Sequence, residues 1–314
     1  MIASLLAALL ISTPPEAQVT PPAPPSQSDT GPVRLEDVEV TGRRLDSLVN
    51  SFVDEVAAPN PNRGIARWDK RLCIGVANLR TDAAQYIVDR VSTVAEDVGL
   101  TSGAPGCTPN VMIVATDDGG ALATELVQEH RRALRLGGSG MDQGGAALRR
   151  FAETDRPVRW WQVSIPTDSE TGMRTTRIPG ECAEACTKVA DFAPAIYVNA
   201  ASRLSSQIVD NLSRTIVIVD VDEASRLNIN QLADYIAMVS LAQINPEADT
   251  SAYASILNVF AESEGPAWLT DWDRAYLAGL YDAERTLKNL RAGKSEIAAS
   301  IQRAHGRLAA TPES

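Results

Sequence analysis

Strand-like apolar runs alternate with amphipathic helical patterns from residue 71 to residue 243, and this alternation constrains the fold more than any other feature of the chain. Short runs of apolar and β-branched residues predict strands at residues 71–77, 110–116, 158–165, 195–198 and 215–221. Apolar residues at helical spacing predict helices at residues 45–57, 81–98, 120–136, 146–152, 202–213 and 228–243. This alternation is typical of an α/β (α+β) fold, in which helices pack on a mixed sheet.

The chain after residue 243 has a helical pattern, with helices predicted at residues 251–260, 270–283 and 285–309. Thr81 is the predicted N-cap of helix 81–98, and Gly99 is predicted to end it. Residues 167–180 are polar and rich in turn formers, which indicates a hairpin or a flexible flap.

The N-terminus predicts export. Residues 2–11 are apolar apart from Ser4, and a run of this length is too short to span a bilayer, which needs about 20 residues. It suits a signal peptide over residues 1–17, although no Lys or Arg precedes it; a buried N-terminal helix is the alternative. Residues 18–32 are rich in Pro and polar residues and predict a disordered linker.

The remaining chain divides into three predicted parts. Residues 33–62 form an N-terminal extension with one helix, residues 63–283 form one α/β domain, and residues 284–314 form a C-terminal helix and tail. We expect a periplasmic or secreted protein with no transmembrane span in the mature chain.

The four cysteines fit an oxidising compartment. We favour pairing of Cys73 with Cys107, which ties a strand to a loop, and of Cys182 with Cys186, which is a local link. A zinc site made of all four cysteines and a set of unpaired buried thiols are the alternatives, and the spacings fit no common zinc pattern.

Charge and motif content exclude several functions. The chain has 29 Lys and Arg residues against 40 Asp and Glu residues, and the resulting net charge of -11 disfavours nucleic acid and anionic membranes as partners. The Gly-rich segment 136–145 lacks the phosphate-loop pattern and is predicted to be a surface loop. The two histidines, His130 and His305, lie in charged surroundings, and no G-x-S-x-G motif is present, so a histidine-dependent hydrolase is not expected.

Acidic residues follow two predicted strands. Asp117 and Asp118 end one strand, and Asp220 and Asp222 end another. If these strands are parallel neighbours, the carboxylates gather at one sheet edge, where a Ca²⁺ site or an acid/base pair is possible. Capping of the helices that follow is the simpler interpretation.

The adjacent Trp160 and Trp161 must point to opposite faces of their strand. One interpretation is core packing on both faces, and the other is an aromatic platform that stacks on a sugar or a peptide.

The order of elements from residue 71 onward resembles that of zincins, the zinc-dependent protease fold, and in particular its matrixin-type members. Three stretches carry the resemblance: the helix 227–243 in the place of the active-site helix, ASILNV at 254–259 in the place of the Met-turn, and LTDWDRAYLAGLY at 269–281 in the place of the closing helix. The chain is also similar to secreted α-proteobacterial proteins of this architecture.

The resemblance implies a zincin scaffold without protease chemistry. Zincins carry H-E-x-x-H, in which two histidines bind Zn²⁺ and the glutamate activates water. Gln231 and Tyr235 stand at the histidine positions, Leu232 stands at the glutamate position, and Leu257 replaces the methionine of the Met-turn. We therefore expect no metal or other cofactor.

These features predict a non-catalytic, zincin-like domain that binds a peptide or a protein of the cell envelope. The candidate cleft residues are Trp160, Trp161, Gln231, Asp234 and Tyr235. The alternatives are a carboxylate-dependent hydrolase that uses Asp117, Asp118, Asp220 and Asp222, and a structural module of the envelope.

Overall fold

A computed structural model of the chain describes residues 42–136, 140–178, 181, 186, 188–197, 202–261 and 265–310. The predicted signal peptide and linker lie outside these residues. The elements in chain order are α1 (Gly42–Val56), β1 (Arg71–Leu72), β2 (Ile74–Ala77), α2 (Thr81–Asp97), β3 (Thr101–Ser102), β4 (Val111–Thr116), α3 (Gly119–Leu134), α4 (Gly144–Glu153), β5 (Val158–Asp168), β6 (Ile208–Asp220), α5 (Val221–Ala224), α6 (Ile229–Leu241), α7 (Asp271–Asp282) and α8 (Leu290–Ala310), with 3-10 turns at Val189–Phe192 and Ile256–Asn258.

The central sheet has four strands in the order β2-β4-β6-β5. Strands β2, β4 and β6 run parallel, and β5 lies antiparallel to β6 at one edge. A second sheet pairs the short strands β1 and β3 in parallel. The predicted mixed α/β sheet with packed helices is therefore confirmed, and the parallel connections carry helices, as crossovers between parallel strands require.

Two hydrophobic cores lie on the two faces of the sheet. The period-2 alternation of β6 divides its residues between them, because Val217 and Val219 enter the larger core and Ile218 enters the smaller one. Helices α1, α2, α6, α7 and α8 contribute to the larger core, and α3 and α4 to the smaller one. The N-terminal helix α1 and the C-terminal helix α8 therefore share a core with the sheet.

Capping defines the ends of the helices that follow the sheet. Asn228 and Gln231 form a capping box at the start of α6, and Thr270 and Asp273 form another at the start of α7. The predicted cap of α2 is wrong, because Arg80 occupies the N-cap position and makes no side-chain cap hydrogen bond. Gly99 follows α2 with a φ of 85°, as expected for a glycine that ends a helix.

The helix predicted at residues 202–213 is wrong, because residues from Ile208 onward belong to strand β6. Arg214 pairs with Val163 and Leu212 pairs with Ser164, so the register skips Ser213. This bulge changes the face to which alternate residues point. The 13-residue strand therefore lacks a continuous alternation of apolar and polar residues, which is the pattern that predicts a strand from sequence.

The helix predicted at residues 251–260 is also wrong, because only the 3-10 turn Ile256–Asn258 forms there. The Asn258 side chain donates hydrogen bonds to the main-chain oxygens of Thr250 and Tyr253. The buried Asp273 accepts from the Ser255 hydroxyl and from the Ile256 N–H. These bonds hold the backbone in a tight loop instead of a helix.

Two further predictions need correction. Residues 195–197, within the strand predicted at 195–198, have no strand structure. Helix α8 begins at Leu290 rather than at residue 285, because the preceding segment lies against residues 204–206. There the Lys288 N–H donates to the Leu204 oxygen, and Ser205 forms an antiparallel bridge with Leu287.

A disulfide joins Cys73 and Cys107, whose Cα atoms lie 6.1 Å apart, as the sequence predicts. It links the junction of β1 and β2 to the loop before β4. The predicted pairing of Cys182 with Cys186 lies outside the described residues, because Cys182 is not among them. Among the helices that the structure describes, none has the length and apolar character needed to cross a membrane.

Candidate functional site

The two tryptophans proposed for the cleft are core residues on opposite faces of β5. Trp160 is 8% exposed, and its indole N–H donates to the Ile244 oxygen at 3.0 Å. Trp161 is 4% exposed in the smaller core and donates to the Leu134 oxygen at 2.9 Å. Because main-chain oxygens accept both indole N–H groups, the two rings are fully accounted for as core residues, one on each face of the sheet.

The three candidates on α6 are engaged in three different contacts. Gln231 completes the capping box and donates to the Pro266 oxygen at 3.0 Å. Asp234 is buried and pairs with Arg90, and it accepts the Leu269 N–H at 2.7 Å. Tyr235 packs edge-on against the rings of Trp160 and Phe260, and burial raises the pKa of its phenol.

Of the five candidate cleft residues, only Trp160 and Tyr235 are in ring contact with each other, with centroids 6.2 Å apart. A slot of about 80 Å³ lies beside Trp160 and Trp161, between α4 and residues 244–247. A space of this size holds a few waters or one small side chain. The five candidates do not line one cleft large enough for a peptide.

The acidic residues do gather at one sheet edge, because β4 and β6 are parallel neighbours and Thr116 pairs with Asp220. Asp118 accepts the Ala121 N–H at the start of α3. Asp220 caps α5 and also accepts the Gly119 N–H at 2.9 Å. Capping therefore accounts for Asp118 and Asp220, while Asp117 and Asp222 are exposed.

Arg159 lies buried beside this acidic edge. Its Nη2 is 3.6 Å from the Asp155 carboxylate, and its Nε and Nη1 have no hydrogen-bond partner among the described residues. Partial burial raises the pKa of Glu223, and the negative charges of Asp155 and Asp220 add to that rise. The surrounding carboxylates disfavour an anion, so we assign no ligand to Arg159.

No cluster of three or more His, Cys, Asp or Glu side chains able to hold a metal ion occurs within the described parts of the chain. His130 is exposed, and the ring of His305 packs edge-on against Trp272. Gln231 takes part in the capping box of α6, and the Tyr235 ring packs against Trp160.

The structure contains a larger cavity that the sequence does not predict. We call it the basic groove: about 320 Å³, between residues 62–67, the start of β6, and the segment from the end of α7 into α8. A second space of about 530 Å³, which we call the acidic extension, shares Arg67, Glu284 and Arg285 with it and continues toward residues 168–172. The charged residues that line the basic groove are Arg63, Arg67, Asp210, Glu284, Arg285, Lys288 and Lys294.

Asp210 lies at the wall of the basic groove and is 8% exposed. Its carboxylate accepts hydrogen bonds from the Arg63 guanidinium at 2.8 Å and from the Gly64 N–H at 3.0 Å. Burial raises the pKa of Asp210, and the charge and hydrogen bonds of Arg63 oppose that rise. Arg63 therefore supplies the counter-charge of this buried carboxylate.

Arg67 and Arg285 meet at the junction of the basic groove and the acidic extension. Arg67 donates to the Leu280 oxygen, and its guanidinium carbon lies 5.6 Å from the centre of the Tyr281 ring. Arg285 donates to the main-chain oxygen of Asp210 and to the side-chain oxygen of Asn211. Both guanidiniums are thus fixed in position by neutral acceptors.

No local sequence pattern marks this groove. Arg67 and Arg285 lie in connecting segments, far apart in the chain, and each resembles any solvated basic residue. The structure joins them because residues 63–67 and 283–288 both lie against the first residues of β6: Arg67 forms a bridge with Asn211.

Comparison of the chain with protein-family models, with curated protein sequences and with solved structures gives no significant match.

Proposed function

We propose that this chain is an exported, non-catalytic binding module that takes a peptide, or an exposed segment of a protein of the cell envelope, in the basic groove and its acidic extension. The observation that carries the proposal is the pair Arg67 and Arg285 at the meeting point of the two cavities, where both are partly buried and, among the described residues, donate only to neutral acceptors. The proposed binding site is therefore different from the cleft residues that the sequence suggests.

The lining supports a peptide rather than a purely apolar ligand. The basic groove combines cations with apolar residues such as Ile65, Leu287 and Ile297. The acidic extension adds the carboxylates of Asp69, Asp168 and Glu296. A peptide segment carries apolar groups and both signs of charge over a few residues, which matches this arrangement.

We propose the zincin-like scaffold on the order of elements. Support comes from an antiparallel strand β5 at the edge of an otherwise parallel main sheet, and from α6 directly after β6 and α5. The turn Ile256–Asn258 and then α7 follow α6. The lack of catalysis is supported by the engagement of Gln231 and Tyr235 in capping and ring packing.

A peptide-display selection against the immobilised mature chain tests the proposal. Enriched peptides are then titrated against the unmodified chain, Lys288→Gln and Arg132→Gln. Lys288 lines the basic groove, whereas Arg132 is exposed on α3 and lines neither cavity, so the two variants remove the same charge at different places. We expect Lys288→Gln to weaken binding about 2- to 5-fold and Arg132→Gln to leave it unchanged.

Selection of no peptide, or equal affinity for both variants, contradicts the proposal. A separate measurement of zinc content and peptidase activity tests the non-catalytic part. Zinc near one ion per chain, together with peptide cleavage, would show that the chain is an enzyme.

A further inference from the structure

We infer that the guanidinium groups of Arg67 and Arg285 together form a binding site for an oxyanion, a carboxylate or a phosphoryl group, in the basic groove. This inference rests on the proposed function, because it names the chemical group that the same groove recognises. It goes beyond peptide binding in general, since it assigns two residues and one ligand chemistry.

The first support is the missing counter-charge. Among the described residues, neither Arg67 nor Arg285 has a carboxylate within 4.0 Å, although eleven other ion pairs of that length are present. Their acceptors are the Leu280 and Asp210 main-chain oxygens and the Asn211 amide oxygen. Both arginines are half-buried, and arginines that lose part of their contact with water are usually paired with an anion.

The second support is electrostatic. Burial, and next to it the positive charge of Arg285, lowers the pKa of Arg67 to about 10. Burial also lowers the pKa of Arg285. Carboxylates beyond ion-pair distance oppose these shifts: Asp282 and Glu284 act on Arg67, and Asp69 and Asp210 act on Arg285. Because burial outweighs them, both positive charges remain disfavoured, and an anion between them would remove part of that unfavourable free energy.

The third support is that the acids of the groove are already committed. Asp210 binds Arg63 and the Gly64 N–H. Glu284 accepts both the N–H and the hydroxyl of Thr286 at 2.8 Å, and these bonds lower its pKa. Lys288 and Lys294 extend the positive lining, and Lys294 also pairs with the exposed Asp54. This surface is locally basic in a chain whose net charge is -11.

The geometry of the donors indicates the ligand class. The guanidinium is a planar fork that suits two-oxygen recognition of carboxylate and phosphate groups. In Arg67 only Nη1, and in Arg285 only Nη2, meets an acceptor among the described residues, which leaves the other nitrogens of each fork for a ligand. A cavity of about 320 Å³ admits such a group with part of the molecule that carries it.

The experiment uses inorganic phosphate and acetate as probes, one for each source of an oxyanion. The arginine Nε–Hε resonances of the mature chain are followed by NMR while each anion replaces chloride at constant ionic strength. We expect saturable shifts of the Arg67 and Arg285 resonances with at least one anion. Arg285→Gln should weaken the binding of that anion at least 10-fold and Lys288→Gln several-fold, whereas Arg132→Gln should leave its binding unchanged.

Each outcome has one meaning. Saturation with phosphate, with acetate or with both supports the site and shows whether it takes a phosphoryl group, a carboxylate or either. Resonance shifts that stay linear with anion concentration, or an anion affinity of Arg285→Gln equal to that of the unmodified chain, overturn the site. If Arg285→Gln does not fold, an unchanged anion affinity of Lys288→Gln overturns it. Peptides that bind and respond to Lys288→Gln while neither anion binds would overturn this inference alone, and anion binding without any selected peptide would overturn the proposed function alone.

Discussion

A buried carboxylate on α6 contacts two other parts of the fold. Asp234 is 1% exposed on α6 and receives hydrogen bonds from Arg90 of α2 and from the Leu269 N–H. It therefore ties α6 both to α2 and to the segment before α7. The sequence places Asp234 in a binding cleft, whereas the structure gives it a linking contact between elements.

Asp234→Asn should lower the free energy of unfolding by roughly 3 kcal/mol, because it leaves the Arg90 guanidinium without its counter-charge. Chemical denaturation measures the change. Asp82→Asn is the matched control, since it breaks the exposed Arg80–Asp82 pair and should change the free energy by at most about 0.5 kcal/mol. Similar losses in the two variants would contradict the linking role of Asp234.

Predictions at single residues succeed where the cause is local. The opposite orientation of Trp160 and Trp161 follows from the period of a strand, and capping by Asp118 and Asp220 follows from their positions before helices. The meeting of Arg67 with Arg285 depends on the packing of two loops against β6, and no local pattern encodes it.

Among the elements, strands and helices with one uninterrupted periodicity are predictable. The sequence predicts α6 and α7 to within about two residues, since both begin at a capping box. The first half of β6 is not predictable, because the bulge at Ser213 shifts the strand's phase. The turn Ile256–Asn258 is not predictable either, because Asp273 of the later helix α7 helps to hold it.

Close contact between α7 and α8 depends on a glycine. A Cβ atom on Gly279 would lie 2.5 Å from the main chain of Ile301, so Gly279→Ala must push α8 away and should lower the free energy of unfolding by about 1–3 kcal/mol. Gly306→Ala lies on α8 with open space around it and should raise that free energy by up to about 1 kcal/mol. Thermal and chemical unfolding measure both; stabilisation by both substitutions would show that α8 does not dock on α7.

The Cys73–Cys107 disulfide restrains the strands before β4. Its sequence separation of 34 residues predicts that the double substitution Cys73→Ser and Cys107→Ser lowers the free energy of unfolding by about 4 kcal/mol, through the larger freedom of the unfolded chain. Denaturation of the variant and of the oxidised chain measures the difference. No change between the two would mean that the bond contributes nothing to stability.

Over the whole molecule, charge is distributed unevenly. Acids crowd the edge where β4 and β6 end, while the opposite end of β6 borders both the basic groove and the acidic extension. The sequence reveals the net charge of -11 but not this distribution, which depends on where the sheet places each strand end. The negative net charge repels an anionic ligand at long range, whereas the cations of the basic groove attract it locally.

A crystal structure of the mature chain with the tightest selected peptide tests the central claim most directly. We predict that the peptide lies between residues 63–67 and 283–288, with one carboxylate at hydrogen-bond distance from the guanidiniums of Arg67 and Arg285. A peptide bound instead along the outer edge of β5, beside Trp160 and with the basic groove vacant, would contradict the account and would return the binding site to the cleft that the sequence suggests.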